Sequence, residues 1–338
     1  MKQAALALLG IILLASCGHK NVPDVSGIHI NVQVQRFEKD LFSMDTTDMF
    51  NSLQQLSKKY PYFLTDYLEN ILGLPPLSDT TAAPMLMVRQ FIREYRPIKD
   101  SAEKLFDNFD HYEEDIKQGL RFVVHYFPHY NPPPRLITYV GPIEGYSEVL
   151  TRDALAVGLQ LHLGRNFFLY STDIGQETYP TYISRRFTPD YITANCMKNI
   201  INDIVPENLK GKPLVEQMIE KGKRLYVLDK ILPYTQDTIK TGYTDSQLKG
   251  CYSNEKDIWN FFLTNSLLDS KDQDVLKDYL DEGPNTPALG ERSPGYIGLF
   301  VGWQIVKKYM EKNPDLALLD LLRMDDRKIF EESKYRPK

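Results

Sequence analysis

The sequence predicts an α+β fold that is mostly helical and contains a small central sheet. Most of the chain carries apolar residues at the three- to four-residue spacing of amphipathic helices. Two short apolar runs near the middle, residues 135–140 and 154–163, are bounded by turn residues and predict strands. Strands grouped between longer sets of helices are typical of α+β proteins.

The N-terminal residues predict an exported lipoprotein. Lys2 precedes an apolar run over residues 4–14, which is too short to span a bilayer, and Leu14-Ala15-Ser16-Cys17 follows. This order is typical of a secretory signal peptide, here over residues 1–16. The cysteine after Leu-Ala-Ser resembles the lipobox of bacterial lipoproteins, in which the mature chain begins at a lipid-modified cysteine. We therefore expect Cys17 to carry the acyl chains of a membrane anchor. The alternative is an ordinary cleaved signal with a cysteine there by chance.

The first half of the mature chain is predicted to be a tether followed by a strand and helices. Residues 17–27 are polar and predict a tether, and residues 28–338 predict one domain with only a soft division near residues 131–135. Apolar residues alternate over residues 28–35, as in a half-buried strand. Helical spacing then predicts a helix that Asp45 or Thr46 caps and that runs through Leu56, followed by helices over residues 62–72, 83–95, 100–109 and 112–126.

Helical spacing returns after the two predicted strands. It predicts helices over residues 192–205, 214–232, 245–268 and 273–280. Residues 281–298 are rich in Gly and Pro, and loops of this length are uncommon unless they carry function or are mobile. A last helix is predicted to begin with Ser293 as its cap and Pro294 at its first position, and to run through Tyr309.

The composition limits the partners and the redox chemistry. A net charge of −5 and a pI near 5.8 offer no electrostatic basis for binding nucleic acid. No second apolar stretch is long enough to cross a membrane. Once Cys17 is lipidated, Cys196 and Cys251 remain, and these either form a disulfide in an oxidising compartment or stay buried thiols.

The sequence gives little support for a known metal-binding or catalytic motif. His125 and His129 have the spacing of zinc ligands on one helix face, but Tyr126 stands where a zinc hydrolase carries its general base, and Pro128 interrupts the helix. The chain has no G-x-S-x-G nucleophile elbow, no phosphate-binding loop and no dinucleotide fingerprint. We therefore predict no metal, no cofactor and no catalytic residue.

One serine pattern gives more support for a catalytic site, of the kind that recognises penicillin. Ser101 and Lys104 form a Ser-x-x-Lys pair that Lys240-Thr241-Gly242 would complete into a penicillin-recognising set. The intermediate Ser-Asp-Asn element is missing, and other Ser-x-x-Lys pairs occur elsewhere in the chain. Ser101 also follows Asp100, as an ordinary residue at a helix start would.

Several long segments carry a resemblance to a known family. Together with the lipobox, they are similar to the GldB gliding-motility lipoproteins of the Bacteroidetes, and they read VQRFEKDLF, LAVGLQLHLG, MIEKGKRLYVLDKILP and GERSPGYIGLFVGWQIVKKYM. The likeness spans most of the mature chain. It implies a cell-envelope lipoprotein associated with the gliding and protein-secretion apparatus.

A second likeness, in the order of elements, is to zinc peptidases of the zincin class. In those enzymes a helix with H-E-x-x-H precedes a helix that supplies a glutamate ligand. The corresponding helix here, residues 194–205, contains neither His nor Glu, and only Glu220 matches the third ligand. Without the two imidazoles and the general base no zinc or activated water is held. The resemblance therefore implies a metal-free, zincin-like scaffold kept for binding, with Glu220 either a relic ligand or a solvated helix residue.

We expect a non-enzymatic lipoprotein that binds envelope proteins or cell-wall material beside the loop at residues 281–298. Glu220, Arg292 and Tyr296 are the predicted cleft contacts, although Tyr296 also suits the core beside Phe300. The alternatives are an envelope hydrolase, either peptidase or glycosidase, and a glycan-binding lipoprotein. Surface-exported lipoproteins of the phylum that the resemblance indicates tend to carry an acidic cluster after the lipidated cysteine, and Gly18, His19 and Lys20 carry none. The resemblance therefore implies a lipid-anchored protein of the cell or outer membrane that faces the periplasm.

Overall fold

A computed structural model describes residues 22–76 and 83–338. The predicted signal peptide, Cys17 and the first part of the predicted tether lie outside the described residues. Helices predominate and one small mixed sheet lies among them, so the predicted α+β class is confirmed. Within these two segments, we find no helix that has both the length and the apolar character needed to span a membrane.

The N-terminal half supplies the first strand of the sheet and a series of helices. Strand β1 leads directly into the first helix because the chain turns at Arg36. The elements are β1 (Gln33–Arg36), α1 (Phe37–Phe42), α2 (Met49–Lys59), α3 (Phe63–Asp66), a π-helical turn (Tyr67–Ile71), α4 (Ala83–Leu105) and α5 (Asp110–Tyr126).

The sheet has four strands in the order β1-β2-β4-β3. The new strands are β2 (Arg135–Tyr139), β3 (Glu148–Leu150) and β4 (Ala154–Gly158). β1, β2 and β4 run parallel, and β3 pairs antiparallel with β4. Every residue of β4 is buried, and so is β2 beyond Arg135. Such unbroken apolar strands belong in a sheet covered on both faces.

The C-terminal half is helical. Short helices α6 (Asp173–Thr178) and α7 (Thr181–Ser184) lead from the sheet into the main helical layer. That layer contains α8 (Ile192–Ile204), α9 (Leu214–Ile231), α10 (Asp237–Thr241), α11 (Asp245–Ser253), α12 (Glu255–Thr264), α13 (Gln273–Leu280), α14 (Ile297–Lys312), α15 (Leu318–Arg323) and α16 (Asp326–Ser333).

The closest helix pair is α9 with α14, and glycines permit the approach. A Cβ added at Gly302 would lie 1.7 Å from the Met218 carbonyl oxygen, and one at Gly222 would lie 2.2 Å from the Gly302 carbonyl carbon. Real side chains do not approach backbone atoms so closely. The two helices are therefore in backbone contact.

The strand predicted over residues 28–35 is wrong in its extent, since β1 comprises only Gln33–Arg36. The register pairs Gln33 with Arg135, and the Gln33 amide donates to the Pro134 carbonyl at 3.0 Å. Further pairing toward the N-terminus would face the prolines at 132–134, which have no N–H to donate. The proline run therefore ends the parallel ladder.

Other element boundaries also differ from the predictions. The helices predicted at 83–95 and 100–109 are one helix with Pro97 inside it, and the strand predicted to reach residue 163 ends at Gly158 and continues as a 3₁₀ turn. The helix predicted over 245–268 is two, because the Asn254 side chain ends α11 by donating to the Gly250 carbonyl at 2.8 Å. Strand β3 was not predicted, and neither were α6, α7, α10, α15 and α16.

The predicted start of the last helix is wrong. α14 begins at Ile297, and its cap position is Tyr296, which adopts a left-handed conformation with φ of 61°. The Ser293 hydroxyl instead donates within the loop to the Gly290 carbonyl at 2.6 Å. The loop ends meet at Gly283 and Gly295, where a Cβ on Gly295 would lie 2.3 Å from the Gly283 oxygen. The two ends of the loop are therefore in backbone contact with each other.

Candidate functional site

A cleft opens between α8, α9 and the loop at residues 281–298, and we call it the α8 cleft. It has two compartments. The apolar compartment, about 300 Å³, presents mainly apolar surface, with Ile201, Leu225, Leu228 and Leu299 in its wall. Charged side chains, which include Lys221 and Arg224, also line it. The polar compartment, about 280 Å³, is lined by side chains that include Asn195, Asn199 and His162. Both border on the same three residues, which are Arg186, Lys198 and Glu282.

Helix α8 turns one polar face to this cleft. Asn195, Lys198, Asn199 and Asn202 follow the i, i+3, i+4, i+7 spacing and all line one compartment or the other. The opposite face of the helix is fully buried in the core through Cys196, Met197 and Ile200. The amphipathic spacing therefore places three amides and one ammonium along one wall of the cleft.

Arg186 and Glu282 pair across the cleft. The Arg186 Nη1 donates to Glu282 Oε1 at 2.8 Å, and Nη2 donates to the other carboxylate oxygen, so the pair is bidentate. Burial by itself raises the pKa of the Glu282 carboxyl, but the hydrogen bonds and the charge of Arg186 outweigh this effect and lower it. The Glu282 charge is thus already neutralised by a partner.

A buried histidine–glutamate pair lies at the base of the polar compartment. His162 Nε2 is 2.6 Å from Glu148 Oε1, and the two side chains are each 1% exposed. His162 Nδ1 lies 3.2 Å from the Thr188 carbonyl oxygen. The Ser147 hydroxyl donates to the second Glu148 oxygen, not to the imidazole. Both imidazole nitrogens are consequently engaged.

Lys198 differs from the other charged groups of the cleft. Within the described residues, no carboxylate or carbonyl oxygen is paired with its ammonium, and Glu282 and Glu148 act on it only through longer-range attraction. The side chain stays accessible to solvent along the cleft, yet the surrounding walls desolvate the charge. This desolvation, with a smaller contribution from Arg186, lowers the pKa of Lys198 to about 8.

Glu220 lies outside this cleft lining and is not a solvated residue. It is 3% exposed, and its carboxylate pairs with Lys223 at 2.8 Å and with Arg224 at 3.0 Å. Lys223 also binds Asp326 at 2.8 Å, which ties α9 to α16. Burial raises the pKa of Glu220, but the three cations around it, including Lys212, lower it overall. The carboxylate is therefore committed to a structural ion-pair network.

Tyr296 lines the apolar compartment, whereas Arg292 does not. Tyr296 is half-buried, packs against the core, and has Lys221 Nζ 5.9 Å from its ring centroid. The Tyr296 carbonyl accepts a hydrogen bond from the Tyr243 hydroxyl at 2.7 Å. Both interpretations of Tyr296 hold in part, since one side of it meets the core and the other the cleft. Arg292 is exposed on the loop outside both compartments.

The other motifs do not assemble into a site. His125 and His129 are exposed, and across residues 22–76 and 83–338 no cluster of three or more His, Cys, Asp or Glu side chains could hold a metal ion. The Ser101 hydroxyl donates to the Pro97 carbonyl of its own helix, and Lys240 is buried between Asp229 and Asp237.

The two remaining cysteines are free and buried. Cys196 lies in α8 and Cys251 in α11, and they form no disulfide. Burial raises the pKa of the Cys251 thiol to about 12 and that of the Cys196 thiol well above its ordinary value. Both thiols are therefore inert, as expected of structural cysteines in a core.

Sequence reasoning missed the residues that define the cleft, namely Arg186, Lys198 and the pair of His162 with Glu148. The signal in the sequence was the spacing Asn195, Lys198, Asn199, Asn202 on one face of a helix whose other face is apolar. Arg186 and Glu282 are 96 residues apart, and no local pattern relates them.

Comparisons with known proteins place the chain in one family. The family model for gliding motility protein GldB matches residues 18–337, nearly the whole chain. No curated protein and no solved structure matches it. The zincin likeness therefore stays a prediction. The chain belongs to the GldB family of gliding motility proteins, whose members are lipoproteins associated with gliding motility.

Proposed function

We propose that the protein is a lipid-anchored scaffold that binds a polypeptide of the gliding or secretion machinery in the α8 cleft and does not catalyse a reaction. The observation that carries the proposal is the chemistry of the α8 face. Carboxamides donate and accept hydrogen bonds in the way that a peptide backbone requires. In the zincin likeness, α8 corresponds to the helix that binds the metal. α8 carries asparagines and a lysine where an enzyme of that class would carry metal ligands and a general base.

The size and lining of the cleft favour recognition of a segment with mixed character. One compartment has an apolar wall and the other is rich in amides, and the two border on shared residues. Binding sites commonly combine an apolar surface with a few placed polar groups. An extended polypeptide can present an apolar side chain to one compartment and backbone groups to the other.

A hydrolase is the second candidate, because the buried pair of His162 with Glu148 places an imidazole beside a carboxylate, as many hydrolases do. An activated serine needs an imidazole nitrogen that is free to take its proton. The Ser147 hydroxyl is held by Glu148, and both His162 nitrogens already have partners. This arrangement supports a structural or orienting role for the pair and favours the binding proposal.

The anchor is tested at Cys17. We expect Cys17→Ser to move the protein from the membrane fraction to the soluble fraction, because stable anchoring depends on two or more acyl chains. The measurement is fractionation of cells followed by immunoblotting, with Cys251→Ser as the control that keeps the predicted lipidation site. Retention of the Cys17 variant in membranes would contradict the anchor.

The binding cleft is tested by photo-crosslinking in native membranes. A benzoylphenylalanine at Asn199, in the polar compartment, should capture an envelope polypeptide on irradiation. The same residue at Gln90, an exposed amide on α4 outside the cleft, is the matched control and should not. No adduct at position 199, or the same adducts from both positions, would argue against the proposal.

A further inference from the structure

The junction of the two compartments carries one positive charge that has no assigned counter-ion. Lys198 lies there, and the two nearest acidic groups are already engaged, Glu282 by Arg186 and Glu148 by His162. The Lys198 side chain is accessible from solvent along the cleft, so an incoming group can reach its ammonium, and the surrounding walls weaken the hydration of the charge. The position therefore suits an anionic group that comes from outside the chain.

The surroundings specify what that anion is attached to. On one side of Lys198 lies the apolar compartment, whose wall contains Leu225, Leu228 and Leu299. On the other side lies the polar compartment with the amides of Asn195 and Asn199. The ligand must combine a carboxylate, an apolar group close to it and backbone-like hydrogen-bonding groups. The last residue of a polypeptide has all three, since its carboxylate and its side chain branch from the same carbon atom.

We propose that Lys198 binds the C-terminal carboxylate of a polypeptide whose last, apolar side chain fills the compartment walled by α9 and α14. The Asn195 and Asn199 amides bind the preceding backbone. This inference rests on the proposed function and names its ligand. A fatty acid shares the carboxylate and the apolar group, but it lacks the amides that the α8 face would bind.

The ionisation of Lys198 gives the site a pH dependence. Its pKa of about 8 means that the ammonium is lost as the pH rises through that value. If only the protonated amine binds, affinity falls by about tenfold between pH 7 and pH 9. Lys198→Arg keeps the positive charge over this range, because arginine remains protonated.

The test uses the mature, full-length protein and three probes. These are N-acetyl-Ala-Ala-Leu with a free carboxylate, the same peptide as its C-terminal amide, and octanoate, each titrated by NMR and by thermal shift. We expect the free acid to bind at least ten times more tightly than the amide and more tightly than octanoate. Lys198→Met should reduce binding of the acid to the level of the amide. Lys198→Arg should retain it and remove the loss between pH 7 and pH 9.

Four results would overturn the inference. Equal binding of acid and amide, or no binding of the acid up to about 10 mM, excludes a carboxylate site of useful affinity. Tighter binding of octanoate than of the peptide acid would assign the site to a fatty-acid carboxylate and exclude a polypeptide C-terminus as its ligand. An unchanged preference in Lys198→Met excludes this residue. Failure here is distinguishable from failure of the proposed function, since crosslinking at Asn199 reports capture of a partner whether or not its chain end is bound.

Discussion

Gly302→Ala is expected to destabilise the protein by about 3 kcal/mol or more, at the upper end of the cost of overpacking. The added Cβ would stand 1.7 Å from the Met218 carbonyl oxygen and 3.1 Å from the Ile219 nitrogen. These are backbone atoms of α9 that no side-chain rotation can move. The helices would have to separate, and the apolar compartment beside them would be deformed. Chemical denaturation of the purified variant measures the loss.

Gly250→Ala is the matched control for this prediction. Gly250 is also a helical glycine, in α11, and an added Cβ there meets nothing within 4 Å. Alanine is preferred to glycine inside a helix by about 1 kcal/mol, so this variant should be equally or more stable than the parent. If Gly302→Ala unfolded at the same denaturant concentration as the parent, the backbone contact between α9 and α14 would be refuted.

Lys223→Met is the second change with a large expected effect. The Lys223 ammonium is 2.8 Å from both Glu220 and Asp326 and donates to the Met324 carbonyl at 3.0 Å, and its side chain is 2% exposed. Methionine fills similar space but leaves two buried carboxylates short of a cation. Breaking a buried pair from one side costs about 3–5 kcal/mol, and equilibrium unfolding at pH 7.5 measures it.

Lys221→Met is the control that distinguishes the effect of losing a buried charge from the effect of losing any lysine charge on α9. Lys221 lies on the same helix and pairs with Glu207 at 2.8 Å, but both side chains are partly exposed. Its replacement should therefore cost no more than about 1 kcal/mol. The deficit of Lys223→Met should also shrink as the pH falls, because protonated carboxyls need no counter-ion. A deficit as small as that of Lys221→Met would contradict the account of the network.

The helical layer was predictable from the sequence where one face of a helix is apolar over many turns. The predicted limits for α9, residues 214–232, differ from Leu214–Ile231 by one residue, and those for α8 are similar. The limits of β1 were not predictable from its own alternation, because they depend on the prolines that precede β2. The start of α14 likewise depends on a contact between Gly283 and Gly295.

The site was less predictable than the fold. The loop at residues 281–298 and Tyr296 do lie at the cleft, and composition drew attention to both. The ion pair of Arg186 with Glu282, by contrast, could not be predicted, because the fold brings together two residues that are 96 positions apart in the sequence. The sequence also could not distinguish a buried, paired Glu220 from a solvated one, since the partner Asp326 of its network is more than a hundred residues away.

The central claim is that the α8 cleft binds a polypeptide and leaves it intact. The most direct measurement purifies the polypeptide captured at position 199 and incubates it with the mature protein, with and without added zinc, and follows its mass over time. We predict an unchanged mass at every protein concentration, together with saturable binding. Fragments that accumulate in proportion to the amount of protein would contradict the claim and establish a working hydrolase.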